Sequence, residues 1–121
     1  MPQGFDAATL ATLRDAKEVR IHTGARKGRG VIIWAVVVDN AVFVRSVRGS
    51  AGKWYIAAAR DRQAALEIGG RQVPVGVTAI ADSSTIDAVN QAYLTKYATS
   101  PYAKAITAAE TLSTTLRLDP I

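Results

Sequence analysis

The strongest pattern in the chain is an unbroken apolar run, Val31-Ile32-Ile33-Trp34-Ala35-Val36-Val37-Val38. Asp39-Asn40 follows it, and then a second run, Ala41-Val42-Phe43-Val44, which leaves through Arg45-Ser46-Val47. Apolar residues on both faces predict a strand covered on both sides, and Asp-Asn tolerates positive φ, so the segment reads as a hairpin with a two-residue turn. Such double coverage is expected where a sheet closes on itself and packs against a partner or cofactor. Glu18 to Thr23 alternates polar and apolar, as a half-buried strand does. Ala64 to Ile68 and Gln72 to Ile80 read as strands joined at Gly69-Gly70. In the second of these, Val73, Val75 and Val77 share a face, and Pro74 on the opposite face predicts an edge or a bulge. Ser113 to Leu118 alternates again and can close a barrel.

Helical spacing fills the gaps. Asp6 is a good N-cap for a first helix presenting Leu10 and Leu13. Gly52 to Asp61 reads as a short helix. Another starts at Ser84, with Asp87 as a capping-box variant, and carries Ile86, Val89, Tyr93 and Tyr97 along one stripe. Ser100-Pro101 predicts one more helix to about Glu110. The order of elements predicts one domain over residues 1–121, mainly β with α: a small six-stranded antiparallel barrel flanked by helices.

Composition adds exclusions. A chain of 121 residues, 49% hydrophobic and 21% charged, is ordinary for a globular domain. With Cys 0 there are no disulfides, thiol nucleophiles or cysteine-ligated metals. The first residues lack the basic-then-apolar pattern of a signal peptide, and Val31 to Val38 is too short to span a bilayer as a helix. The expectation is a soluble cytoplasmic protein without a membrane partner. A net charge of +5 suits anionic partners, and where the charge falls matters more than its total.

Polar chemistry concentrates in two segments, Arg26-Lys27-Gly28-Arg29 and Arg45-Ser46-Val47-Arg48-Gly49-Ser50-Ala51-Gly52-Lys53-Trp54. One enters the central hairpin and the other leaves it. In an antiparallel pair the start of one strand lies beside the end of the other, which predicts that the two segments meet at one end of the barrel. Arginine forks, lysine charges, a serine hydroxyl and glycine backbone N–H groups together suit phosphate, and the helix opening near Lys53 would favour an anion. Ordinary exposed turns at a barrel rim share this composition, and the residues alone leave both readings open. Trp34, Trp54 and Tyr55 could pack on a ring system or fill the core. Tyr93, Tyr97 and Tyr102 read as a packing stripe from which a hydroxyl could reach a substrate. His22, the single histidine, is expected to face solvent beside Arg20, and capping explains Asp82 and Asp87. No Ser-His-Asp set, Walker loop or GxGxxG is present, so any hard chemistry would come from a cofactor.

The ordered series Thr23-Gly24-Ala25-Arg26-Lys27-Gly28, Val31 to Val36, Val42-Phe43-Val44-Arg45-Ser46-Val47-Arg48-Gly49 and Lys53-Trp54-Tyr55 resembles the flavin split-barrel superfamily. Within it, the chain is similar to the deazaflavin-dependent nitroreductase group. It is closer to the uncharacterised bacterial set known as domain of unknown function 2255, through Ile33-Trp34-Ala35-Val36, Val44-Arg45-Ser46-Val47-Arg48-Gly49, Tyr93 to Tyr97 and Thr115 to Leu118. The resemblance implies a six-stranded split barrel, usually a homodimer, with FMN or a deazaflavin of the F-420 type at the subunit cleft. By position, Lys27, Arg29, Arg45, Ser46, Arg48, Gly49, Ser50 and Lys53 match the phosphate-holding places. Ile32, Ile33 and Trp34 match the strand passing the ring, with Trp54 beside them. Ala25, Val31 and Trp34 depart from the nitroreductase pattern. The expected function is a flavin- or deazaflavin-binding protein, with a reductase acting on a small molecule as the enzymatic form. The alternatives are a non-catalytic homodimeric barrel and a basic nucleic-acid-binding barrel. The last is disfavoured because Trp34 sits in an apolar run and not on an alternating platform.

Overall fold

The computed structural model describes residues 4–24 and 30–121. Helix α1 (Ala7–Asp15) leads into β1 (Val19–His22), and then β2 (Val31–Ile33), β3 (Ala35–Val38) and β4 (Ala41–Val44) follow. A single 3-10 turn, Gly49–Ala51, connects to α2 (Lys53–Asp61), β5 (Gln63–Ile68) and β6 (Arg71–Ala79). Helix α3 (Ser83–Lys96), two short helices α4 (Ala103–Ile106) and α5 (Ala109–Leu112), and β7 (Leu116–Pro120) complete the chain. Every strand pairing is antiparallel, in the order β2-β1-β5-β6-β7-β4-β3.

The two strands at the ends of that order, β2 and β3, are neighbours in sequence, joined through Trp34 alone. The long apolar run therefore bends at Trp34: its first part pairs with β1 and its second with β4. This bend draws the sheet into a nearly closed barrel. It also explains why seven strands stand where six were expected, since one continuous run became two strands.

Alternation then sorts the side chains into two layers. Ala35, Val42 and Val44 point inward with Leu13, Ile21, Leu66, Val75, Leu116 and Leu118. Val36 and Phe43 point outward and are covered by Val89 and Tyr93 of α3 and by Tyr97 at its C-cap. A helix thus supplies the outer cover. Both hairpin turns form as their residues require: Asp39 and Asn40 take φ 49° and 64°, Gly69 and Gly70 φ 57° and 81°.

One local expectation holds in part and two are corrected. Pro74 lies inside β6, paired with Ala65 of β5 in continuous register and without a bulge. The ladder with β7 begins one residue later at Val75, so on that side it stands at an edge as expected. Its carbonyl accepts from the Ile121 N–H just past the end of β7, so the missing donor faces the end of that ladder. Helix α3 starts at Ser83, and its cap is Asp82, whose carboxylate accepts the Thr85 N–H at 3.0 Å. The helix predicted from Pro101 to about Glu110 is instead α4 and α5, with a break between them. Threonine hydroxyls take carbonyls at the break: Thr107 Oγ1 donates to Ala103 O, and Thr111 Oγ1 donates to Ile106 O and Ala108 O, competing with the helical ladder.

Candidate functional site

At the outer side of the Trp34 bend lies a cleft of about 200 Å³, lined by Ile32, Ile33, Trp34, Arg45, Val47, Trp54, Tyr102 and Ile106. Five pieces of chain build it. The β2 strand supplies Ile32 and Ile33, the bend supplies Trp34, and the exit from β4 supplies Arg45 and Val47. The first turn of α2 brings Trp54, and the α4 region closes the far wall with Tyr102 and Ile106. Its wall is mostly apolar and aromatic, the surface that a planar ring system prefers.

Helix α3 holds the bend rigidly. The Tyr93 hydroxyl donates to Trp34 O at 2.7 Å, and Lys96 Nζ donates to Ala35 O at 2.6 Å. The Trp34 indole stacks on Tyr97, whose own hydroxyl donates to Lys17 O at 2.8 Å. Burial pushes both tyrosine hydroxyls up, well above the usual phenol range. Neither faces the cleft; the tyrosine that does is Tyr102, 66% exposed at the mouth.

Arg45 has a different job from the one its type suggested. Only 1% exposed, it turns its guanidinium into the fold. Nε donates to Thr115 Oγ1 at 2.8 Å, one terminal nitrogen donates to Asn90 and to Ile106 O, and the other to Ile86 O. Burial lowers its pKa from the ordinary arginine value. Most of its fork is thus committed to the protein, while the residue also lines the cleft.

Ser46, also 1% exposed, donates its backbone N–H to Thr114 Oγ1 at 3.0 Å. Its own hydroxyl is buried without a partner among the described residues. That hydroxyl presses on Gly52, where an added Cβ would lie 2.3 Å away. Gly49 takes φ 65° and packs against the Glu110 backbone, so its glycine requirement is conformational. Arg48, Ser50 and Lys53 are exposed along the turn that leads into α2, and the N-cap of that helix, Gly52, supplies no side-chain hydrogen bond.

The other cationic segment, with Lys27 and Arg29, lies outside the described residues. Strand β2, which that segment precedes, pairs with β1 and not with β4. The hairpin ladder ends at Ala35 opposite Val44, because β2 turns away to β1 at that point. Gly30 at the start of β2 packs instead on Ile21 and His22. His22 does not face solvent: its side chain is 12% exposed, with Nε2 3.0 Å from Glu67 Oε1. No motif marks Val47 or Ile106 for the cleft, and only the fold of the chain after β4 and α3 brings them there.

No helix among the described residues is long and apolar enough to cross a membrane. No curated protein matches the chain. The crystal structure of the conserved hypothetical protein Rv2991 from Mycobacterium tuberculosis shares the fold. Its TM-score is 0.61 at 9% identity, covering 99% of this chain and 81% of that one. The sequence model of a family described as uncharacterised proteins conserved in bacteria, domain of unknown function 2255, matches residues 9–118. That match spans nearly the whole barrel, and the chain therefore belongs to this family.

Proposed function

We propose that the cleft at the Trp34 bend binds a flavin-type cofactor, FMN or a deazaflavin of the F-420 type. The observation that carries this reading is the convergence of Ile32, Ile33, Trp34 and Trp54 on one apolar cleft bordered by the Val47–Lys53 turn. A volume of about 200 Å³ suits a ring system and not a whole cofactor. A phosphate arm would then run outward over Arg48, Ser50 and Lys53, toward the first turn of α2. Bound there, such a group would supply hydride chemistry toward a small substrate, and the activity to assay is a reductase. The chain's own part is to shield the ring from water with Ile32, Ile33 and Trp34 and to neutralise phosphate with exposed cations. Val31, Ile32, Val47 and Tyr102 are 45%, 48%, 56% and 66% exposed, which supports a second copy covering the cleft in a homodimer.

A second reading, a non-catalytic barrel with a contracted pocket, is favoured by one observation: the Arg45 fork serves the fold. Titration of the purified protein with FMN and with the deazaflavin, followed by absorbance and fluorescence, separates the two. The first reading expects saturable binding in the low micromolar range or tighter, weakened in Arg48→Gln/Lys53→Gln. Absence of binding by either compound at tens of micromolar would remove it in favour of the second.

A further inference from the structure

Away from the cleft, between the end of α1, strand β3 and the last turns of α3, lies a separate depression of about 490 Å³. Its floor is Val36, Val37 and Ala92, and its cationic rim is Arg14, Lys17 and Lys96. We propose that this depression is a second ligand site, which binds a small organic oxyanion by its phosphate or carboxylate between Lys17 and Lys96, with its apolar body on Val36 and Val37.

Each of the two ammonium groups is held by backbone carbonyls, and the charge on Lys17 is felt at Lys96. Lys96 Nζ donates to Leu13 O at 2.8 Å and to Ala35 O at 2.6 Å, which leaves one donor unused. Lys17 Nζ donates to Lys96 O at 3.1 Å. Both lie over the Tyr97 ring, 5.7 Å and 5.4 Å from its centroid. Neither is ion-paired among the described residues, and no carboxylate lines the depression. Asp15 acts on Lys96 and Glu18 on Tyr97 from outside it, and for Lys96 the repulsion from Lys17 exceeds the help from Asp15. Burial first and Lys17 second bring the Lys96 pKa down to about 8.

Two like charges fixed beside one ring, one of them half-buried, repel each other until an anion sits between them. Arg14 is anchored through Nη2 to Asn40 Oδ1 at 3.1 Å, with the rest of its fork available at the rim. The apolar floor adds affinity for a ligand with a carbon skeleton, which a bare inorganic ion cannot use.

Because Trp34 stacks on the same Tyr97 ring, its indole reports on the site. In a Trp54→Phe protein, whose tryptophan emission comes from Trp34 alone, phenyl phosphate and inorganic phosphate are titrated at constant ionic strength against chloride. The expected result is saturation in the millimolar range or tighter, with phenyl phosphate several-fold stronger than phosphate. Arg14→Gln/Lys17→Gln loses two exposed hydrogen bonds and a charge that repels Lys96, still unfolds in one cooperative urea transition, and weakens binding by about five- to tenfold. A non-saturating response, or equal affinity in that variant, overturns the proposal. Affinity lost in Arg48→Gln/Lys53→Gln but kept in Arg14→Gln/Lys17→Gln also overturns it, by putting the anion in the other cleft. That arm makes the test independent of flavin binding.

Discussion

The Trp34 indole lies flat on the Tyr97 ring, 3.9 Å between centroids and 3° between planes. The partner helix also grips the bend through Tyr93 and Lys96, so the stack and these hydrogen bonds hold one sharp change of strand direction. Trp34→Ala is expected to cost about 2–4 kcal/mol in urea unfolding, and Trp34→Phe about 1 kcal/mol because an aromatic face remains. An unchanged midpoint for Trp34→Ala would show that the helix holds the bend without the stack.

Arg45 tests the division between fold and ligand. Its replacement by alanine orphans acceptors on Thr115, Asn90, Ile86 and Ile106. The expected loss is about 3 kcal/mol or more, and lysine recovers little because it lacks the planar fork. If Arg45→Ala unfolds at the parental urea concentration but loses cofactor affinity, the guanidinium belongs to the ligand and not to the fold.

Ser46 and Gly52 form a pair suited to a double-mutant cycle. Gly52→Ala drives a methyl toward the Ser46 hydroxyl and should cost about 1–3 kcal/mol. Ser46→Ala removes a buried hydroxyl that has no partner among the described residues and should stabilise by about 0 to 1 kcal/mol. Combined, the two should be less harmful than their sum, since the oxygen is the clashing atom. Strict additivity would place the strain in the backbone of the turn.

Lys96 sets a pH dependence. Its folded pKa is brought down to about 8 from the ordinary 10.5, so between these values the unfolded chain holds the proton more readily than the folded one. Stability therefore rises from pH 8 toward pH 10 through this group, and below pH 8 its cost is fully present. A neutral amine still offers two N–H donors, enough for Leu13 O and Ala35 O. Above pH 10 the opposite trend sets in, because Tyr93 and Tyr97 are held neutral in the fold. Urea midpoints at pH 7 and 9.5 should show the rise in the parent protein and not in Lys96→Met. The same rise in both would assign it to another group.

The elements legible in advance were those set by near neighbours. Asp6 caps α1, Asp39-Asn40 and Gly69-Gly70 turn where they should, and the short helix expected from Gly52 to Asp61 forms over Lys53–Asp61 with Gly52 as its N-cap. Elements that depended on competition were not legible. Thr107 and Thr111 drew carbonyls away from a predicted helix, and His22 found Glu67 on a strand distant in sequence.

By itself the chain determined its hairpin turns, the rough places of most strands and the residues able to form an aromatic cleft, because φ preference and apolar alternation act over a few residues. The last strand nevertheless runs Leu116–Pro120 and not Ser113 to Leu118. Tertiary structure alone decided that the long run breaks at Trp34, that Arg45 turns inward, and that Lys17 meets Lys96 over Tyr97. Each of those outcomes depends on which distant backbone or ring satisfies a buried polar group, and burial exists only once the barrel has closed.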